Sequence, residues 1–413
     1  FIKFERILKT VIWGFPKTFK LFQESMKGWL FDKLWITTTI QTELNIPRNK
    51  IMFSNHHLSH AASSYYCSPF DKSAIVTFDG VGEWATTTIS EGNGSNITMK
   101  KEIRFPHSLG LIYSVFTAFL GFEINEGEYK VMGMAPYGNP VYTDKVRKVI
   151  SVNNDGSFSV NKNYISYHYS TKSSYSKEFV KLFGEPRESD KLFFTNKTGY
   201  PEYFGDKPDD YEKQVESNQY YADIAASIQK VTEEIVINLL NHIPAKDYDY
   251  NLCLAGGVAL NSVINGKIKS KTDFKNIYIQ PSAGDGGGAI GAALTFIIDG
   301  QKNKKSFVMK HAYWGPEFSN DEIKNAIDKY KFKYIYFEDK NKMQDEIVND
   351  LVSNKVIGLF QNRIEWGPRA LGNRSIIANP TSPEMKDIVN AKIKFREPYR
   401  PFAPSVLEDK IST

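Results

Sequence analysis

The stretch Asn55-His56-His57-Leu58-Ser59-His60-Ala61-Ala62-Ser63 constrains this chain more than any other. Small and hydroxylated residues surround three histidines, which predicts a helix pressed close against a neighbour. Residues four apart share one helix face, so His56 and His60 lie side by side, while His57 is turned about 100° from His56. Two neutral imidazoles at that spacing suit a transition metal, but a complete site needs further ligands. Two carboxylates are candidates: Asp79, at the end of the strand-like run 73–79, and Asp285, inside the glycine-rich run 282–288. Histidines hydrogen-bonded in a core would leave the same pattern, and spacing alone does not separate the two readings.

The surrounding segments predict a nucleotide fold. Residues 73–79, 84–91 and 97–105 are β-rich, broken by glycine-containing turns, and read as an antiparallel meander. Residues 109–121 read as a buried helix, and 127–138 as a loop dense in glycine. Ile224, Ile228, Val231, Ile235 and Leu239 follow helical spacing and predict an amphipathic helix over 222–243. Two strand–glycine–helix units follow: 250–255 with Gly256-Gly257 and a helix over 258–268, then 276–280 with the Asp285 loop and a helix through 298. Such turns place backbone N–H groups and helix N-termini where an anion can sit. With the meander they predict a cleft between two βββαβα-like halves. Residues 151–215 are polar and rich in Tyr and Lys. They read equally as an insertion with substrate or interface duties and as a plain surface excursion.

A chain of 413 residues is expected to hold two or three domains. A formal charge of +5 is small for that size and gives no reason to expect a nucleic-acid partner. Only Cys67 and Cys253 occur, which fits a reducing compartment without disulfides, hence the cytoplasm. The apolar run 109–124 is interrupted by Gly, Ser and Thr and falls short of a membrane span. Residues 1–40 carry Ile7, Leu8, Val11, Ile12, Trp13, Phe15, Phe19 and Phe22 among lysines. A basic amphipathic helix can lie on a membrane surface, but a packed helical insert is the reading preferred.

Toward the C-terminus, 343–352 reads as helix and 356–361 as strand. Arg363, Arg369, Arg374, Arg396 and Arg400 then crowd a short span among Trp366, Pro368, Leu371, Phe395, Pro401 and Phe402. Guanidinium groups pair bidentately with phosphate and carboxylate. Arginines embedded in apolar, proline-containing loops predict an anion pocket. The polar stretch 301–306 reads as the boundary before it.

At this point the chain resembles a known family, the O-carbamoyltransferases related to nodulation protein U and to the cephem and aminoglycoside carbamoyltransferases. The resemblance rests on HHLSHAAS (56–63), FDGVGEW (78–84), SLGLIYS and TAFLGF (108–122), GEYKVMGMAPYG (127–138), LAGGVALN (254–261), SAGDGGGAIGAA (282–293), EWGPRALGNRSIIANP (365–380) and KFREPYRPFAPSVL (394–407). It implies an α/β, actin-like or sugar-kinase-like (Kae1-like) two-lobed fold over 1–305. An incomplete YrdC-like α/β domain would follow over 306–413. It also implies that His56, His60, Asp79 and Asp285 hold iron(II) or another divalent transition metal. Gly80, Gly256, Gly257, Asn261 and Gly286 would border the nucleotide, and Arg363, Arg369, Arg374, Arg396 and Arg400 would bind carbamoyl phosphate. Asp285, Arg363 and Arg396 would be catalytic. ATP, with magnesium as its companion, and carbamoyl phosphate would give carbamoyl adenylate. The carbamoyl group would then pass to a hydroxyl of a small molecule or sugar, in a protein that could pair as a homodimer. The family's first phosphate hairpin has no counterpart in 1–50, so the chain is expected to be part of a longer protein.

Three other classes share some of these features. A small-molecule kinase would need the glycine loops but not His56, His60 or the arginines. A tRNA-modification component with this metal site would lack the fused anion pocket. A non-catalytic nucleotide switch would bind ATP with no dependence on carbamoyl phosphate.

Overall fold

A computed structural model describes residues 2–189 and 191–410. It begins with three helices, α1 (Ile2–Gly14), α2 (Phe19–Phe31) and α3 (Ile36–Leu44). The helical character expected of 1–40 is present, but the close packing is not. Neither α2 nor α3 has a buried residue, and Phe31 and Trp35 are 76% and 57% exposed.

Helix α4 (His56–Tyr65) precedes the meander of β1 (Lys72–Phe78), β2 (Ala85–Asn93) and β3 (Asn96–Arg104), paired antiparallel as expected. Later in the chain, β6 (Asn251–Ala255) runs parallel to β1, and β7 (Asn276–Ile279) runs parallel to β6. The order β3-β2-β1-β6-β7 puts β1 in the centre. Its buried run Ala74-Ile75-Val76 suits a strand covered on both faces. The β3 edge is mostly exposed and carries Lys100 and Lys101, charges that discourage pairing with a further strand. One such sheet forms among the described residues, where the sequence had predicted two equivalent halves.

Ala61, Ala62, Tyr65 and Tyr66 of α4 pack with Ile75 and Cys253 of the sheet. Both cysteines are free and buried, as expected, and burial pushes each thiol up to about 11. Helix α5 (Leu109–Phe119) is the buried helix anticipated, and among the described residues no helix is long and apolar enough to cross a membrane. Residues 128–137 are not a loop. They form α6 (Glu128–Met134) and a 3-10 turn, Ala135–Tyr137. Glu128 organises this start by accepting from Ser114 Oγ at 2.6 Å and from the Asn125 N–H at 3.0 Å.

Several residues of 151–215 join the core, among them Phe158, Ile165, Phe179, Phe183 and Phe194. After α7 (Thr143–Val149), the hairpin of β4 (Ile150–Val152) and β5 (Phe158–Val160) leads to α8 (Lys177–Phe183). There Phe179 and Phe183 meet Phe116 of α5 with ring centroids 5.1 and 5.2 Å apart. Helix α9 (Tyr211–Asn241) starts about three turns before the predicted 222. Its first residues are polar and tyrosine-rich and lack an apolar stripe, so periodicity could not reveal them. Gly257–Leu260 is a 3-10 turn and the helix proper is α10 (Ser262–Lys271). Helix α11 (Asp285–Leu294) gives way to a π-helical turn, Thr295–Gly300.

Two compact units divide the chain: Phe1–Lys191 with Tyr220–Met309, and Leu192–Gln219 with Lys310–Thr413. The second unit contains α12 (Asn320–Lys329), α13 (Lys340–Val352), the antiparallel pair β8 (Ile357–Phe360) and β9 (Arg374–Ile377), and α14 (Met385–Ile388). Phe193, from the stretch read as an insertion, packs on Tyr399 with ring centroids 5.0 Å apart in this unit.

Candidate metal centre

Two helix N-termini and one strand end converge. His56 is the first residue of α4, Asp285 the first of α11, and Asp79 directly follows β1. His56 Nε2 lies 2.6 Å from Asp79 Oδ2, 3.1 Å from His60 Nε2 and 3.6 Å from Asp285 Oδ1. His60 Nε2 lies 3.4 Å from Asp285 Oδ1 and 3.6 Å from Asp79 Oδ2. All four donor atoms fall within 4.8 Å of one another.

Each side chain is placed by a specific backbone feature. At Gly256 the backbone has φ +92° and passes the Phe78 carbonyl, where a Cβ would collide. Only glycine combines that φ with that approach. The resulting turn brings the Gly257 N–H 3.1 Å from Asp79 Oδ1, leaving Oδ2 for the histidines. On α11, a Cβ at Gly291 would run into the Ser59 carbonyl, so glycine there lets α11 lie against α4 and brings Asp285 to His60. Gly291→Ala is expected to cost about 1–3 kcal/mol through overpacking. By shifting Asp285 it should also weaken metal binding roughly 10–100-fold, the range seen when ligand support is lost. Thermal melts and metal titration of the variant check both effects.

His57 has the other fate considered for these histidines. Its ring is buried, with Nδ1 2.7 Å from Thr77 Oγ1 and Nε2 2.8 Å from the Ala85 carbonyl. The Nε2–H therefore donates to Ala85, and Nδ1 accepts from Thr77, whose oxygen lies 2.6 Å from Thr88 Oγ1. Burial lowers the His57 pKa to about 4, so this ring stays neutral and structural.

Burial opposes charge on His60 as well, but its hydrogen bonds to the Asp285 and Asp79 carboxylates outweigh it and raise its pKa to about 9. Burial would raise Asp79, yet hydrogen bonds to His56 and His60 hold its carboxyl far below the usual range. The bond to His60 lowers Asp285 too. Two imidazole nitrogens and two carboxylate oxygens are a donor set for iron, manganese or zinc. The separations of 3.1–3.6 Å among them are those of adjacent atoms sharing one ion through bonds of about 2.0–2.2 Å, so the residues fit a divalent transition metal. His56, His60 and Asp285 border a pocket of about 310 Å³ whose wall includes Glu83.

Family models for carbamoyltransferases match the chain twice. The N-terminal model covers residues 3–294 and the C-terminal model covers 348–413. The chain belongs to the carbamoyltransferase family. Similar proteins include an uncharacterised Synechocystis protein, 42% identical over 99% of this chain and 65% of its own length. Nodulation protein NolNO of Sinorhizobium fredii is 34% identical over 87% of this chain and 48% of its own length. An uncharacterised Methanocaldococcus jannaschii protein is 30% identical over 90% of this chain and 58% of its own length. This carbamoyltransferase-family chain thus spans about half to two thirds of these relatives. A solved structure, T. kodakarensis HypF, aligns over 64% of this chain and 38% of its own at 15% identity and a TM-score of 0.31, too slight a likeness to bear on architecture.

The other predicted site residues of this family member are dispersed. Gly80 and Gly256 lie at the turns that follow β1 and β6, and Gly286 is the second residue of α11, next to Asp285. The Gly257 N–H is committed to Asp79. Asn261 caps α10 through the Ile264 N–H and exchanges hydrogen bonds with Gln229 in the core, so its side chain shapes the turn. The five arginines do not share one arrangement. Arg363 Nε donates to the Gly315 carbonyl at 3.0 Å. Arg374 reaches the carbonyls of Gln361, Asn362 and Asn373 and lies over the Phe360 ring. Arg396 Nε is 2.7 Å from Asn390 Oδ1, and Arg400 pairs with Glu397 at 3.3 Å. Arg369 is exposed, with no hydrogen bond or ion pair among the described residues.

Sequence reasoning missed Glu83. Its carboxylate takes the place of an N-cap side chain, accepting the His56 N–H at 3.1 and 3.3 Å. An acidic group is favourable at a helix N-terminus. The residue stands in the FDGVGEW motif, but nothing in its spacing set it apart from an ordinary turn residue.

Proposed function

We propose that this chain is the carbamoyl-transferring part of an ATP-dependent O-carbamoyltransferase, acting on a hydroxyl of a small molecule or sugar. The convergence of His56, His60, Asp79 and Asp285 within 4.8 Å, in a chain of this family, carries the reading. Iron(II) or a related ion held there supplies a Lewis acid that neutralises adenylate phosphate charge. Gly80, Gly256 and Gly286 border the nucleotide, and the N-termini of α4 and α11 favour an anion between them. The acceptor hydroxyl attacks the carbamoyl carbon, the bond to the adenylate oxygen breaks, AMP leaves, and the hydroxyl proton needs a base. Glu83 borders the same pocket and is the residue assigned to take it. In the two-lobed, Kae1-like reading this site belongs to residues 1–305. The YrdC-like portion, 306–413, carries Arg363, Arg369, Arg374, Arg396 and Arg400 and serves carbamoyl phosphate. Arg369 and the terminal nitrogens of Arg363, whose Nε is held by the Gly315 carbonyl, are the groups that meet it, since Arg374, Arg396 and Arg400 make contacts through their terminal nitrogens.

In a protein of these relatives' full length, ATP with carbamoyl phosphate should release pyrophosphate, and Arg363→Ala should abolish that release. ADP and a phosphorylated acceptor, formed without any need for carbamoyl phosphate, would establish a kinase instead.

A further inference from the structure

A second and larger pocket, about 770 Å³, lies against the turn that carries Glu83. Trp84, the next residue, is part of its wall. The Gly82 N–H donates to the Ala85 carbonyl at 2.9 Å, closing the turn, and Arg6 of α1 donates to the Gly82 carbonyl at 2.8 Å. Helix α1 supplies another wall through Lys9. The turn therefore presents Glu83 to the metal-centre pocket and Trp84 to this one, on neighbouring residues about 3.8 Å apart along the chain.

Cationic charge dominates the lining. Lys9 is neutralised by Glu5 at 2.5 Å and covers the Trp84 ring at 5.0 Å. Lys17, Lys162 and Lys177 have no carboxylate within ion-pair distance among the described residues. The pocket's own acid, Glu178, is taken by Lys181 at 2.6 Å. His168 stands among these lysines, and its Nδ1 is buried without a partner. Burial first, then the charges of Lys162 and Lys17, lower its pKa to about 4, so at neutral pH it offers an uncharged ring. Three uncompensated ammonium groups and one unsatisfied ring nitrogen call for an anion that also hydrogen-bonds. The rings of Trp84 and Tyr164 offer apolar faces to the carbon side of a sugar ring. The volume suits a ligand of one or two sugar units.

We propose that this pocket binds the acceptor, a sugar carrying a phosphate group, with the phosphate on Lys17, Lys162 and Lys177 and a hydroxyl directed past Trp84 toward Glu83. The assignment of the ligand as acceptor rests on the carbamoyl-transfer reading; the binding site itself does not.

The test is calorimetry with D-glucose 6-phosphate as probe, beside D-glucose and inorganic phosphate, without ATP or carbamoyl phosphate. Glucose 6-phosphate should bind at least tenfold more tightly than either of the others. Lys17→Glu/Lys162→Glu should weaken it at least thirtyfold. Both lysines are exposed, so the fold should tolerate the change, and circular dichroism checks that it does. Lys20→Glu/Lys172→Glu, exposed lysines outside the pocket, should bind as wild type. Equal binding of glucose and its phosphate, or no effect of the pocket reversal, would overturn the site. Inorganic phosphate binding as tightly as the sugar phosphate would reduce it to a simple anion site and overturn the sugar assignment. A protein that passes these tests but transfers no carbamoyl group would overturn the proposed function and leave the pocket standing.

Discussion

His60→Ala and Asp79→Ala proteins should purify almost free of the transition metal that the wild type retains. His60 is 1% exposed and Asp79 13% exposed, so water cannot easily replace either ligand. The loss in affinity should be roughly 100-fold or more, beyond the ~10–100-fold cost of removing outer support. Elemental analysis of wild type, His56→Ala, His60→Ala and Asp79→Ala measures it. His57→Ala is the informative contrast. It removes one of two partners from the Ala85 carbonyl and from Thr77, which should cost about 0.5–1.5 kcal/mol for each bond lost, while metal per folded molecule stays near the wild-type level. Equal metal in all variants would return His56 and His60 to a core role. The pH dependence has a definite sign. A proton on His60, whose pKa is about 9, must leave before the nitrogen can bind a metal. Affinity should therefore rise about tenfold per pH unit up to about 9 and level off above it. Competitive titration with a chelator at several pH values follows the slope.

The second large effect concerns the separation of the two half-reactions. In a protein of these relatives' full length, Arg369→Ala should weaken carbamoyl phosphate binding by about 1.5–3 kcal/mol, the worth of a hydrogen bond to a charged group. That is roughly 10- to 150-fold. Arg369 is a cleaner choice than Arg396, whose loss would also release Asn390. Chemically made carbamoyl adenylate should restore transfer to Arg369→Ala. It should fail with Asp285→Ala, which retains adenylate synthesis but lacks a complete metal centre. Product analysis by mass spectrometry distinguishes the cases. Rescue of Asp285→Ala alone, or of both, would show the half-reactions assigned to the wrong residues.

The sequence made parts of this molecule readable because their causes are local. Three strands separated by glycine turns announced β1–β3, and apolar spacing announced most of α9. His-x-x-x-His on one helix face fixed the relation of His56 to His60 without any knowledge of the fold. Where reading failed, the local signal was weak or misleading. Glycines at 127, 133 and 138 suggested a loop, yet Glu128 nucleates a helix through partners at 114 and 125. The Tyr- and Lys-rich stretch looked peripheral, yet Phe179 and Phe183 complete an aromatic core with α5. The arginines clustered in sequence, but four of them are engaged with their own surroundings.

What the amino-acid sequence determined alone was membership of the family, the helical pairing of His56 with His60, and a short list of carboxylates able to join them. What only the tertiary structure decided was which histidine is structural, that Asp79 and Asp285 both reach the pair, and that Glu83 and Trp84 face two different pockets. The physical reason is distance along the chain. His56 and Asp285 are 229 positions apart, and they meet because Gly291 lets α11 lie against α4 and Gly256 lets the β6 turn reach Asp79. Periodicity records what neighbours four residues apart must do, whereas such close approaches depend on surfaces that exist only once the sheet and its helices have assembled.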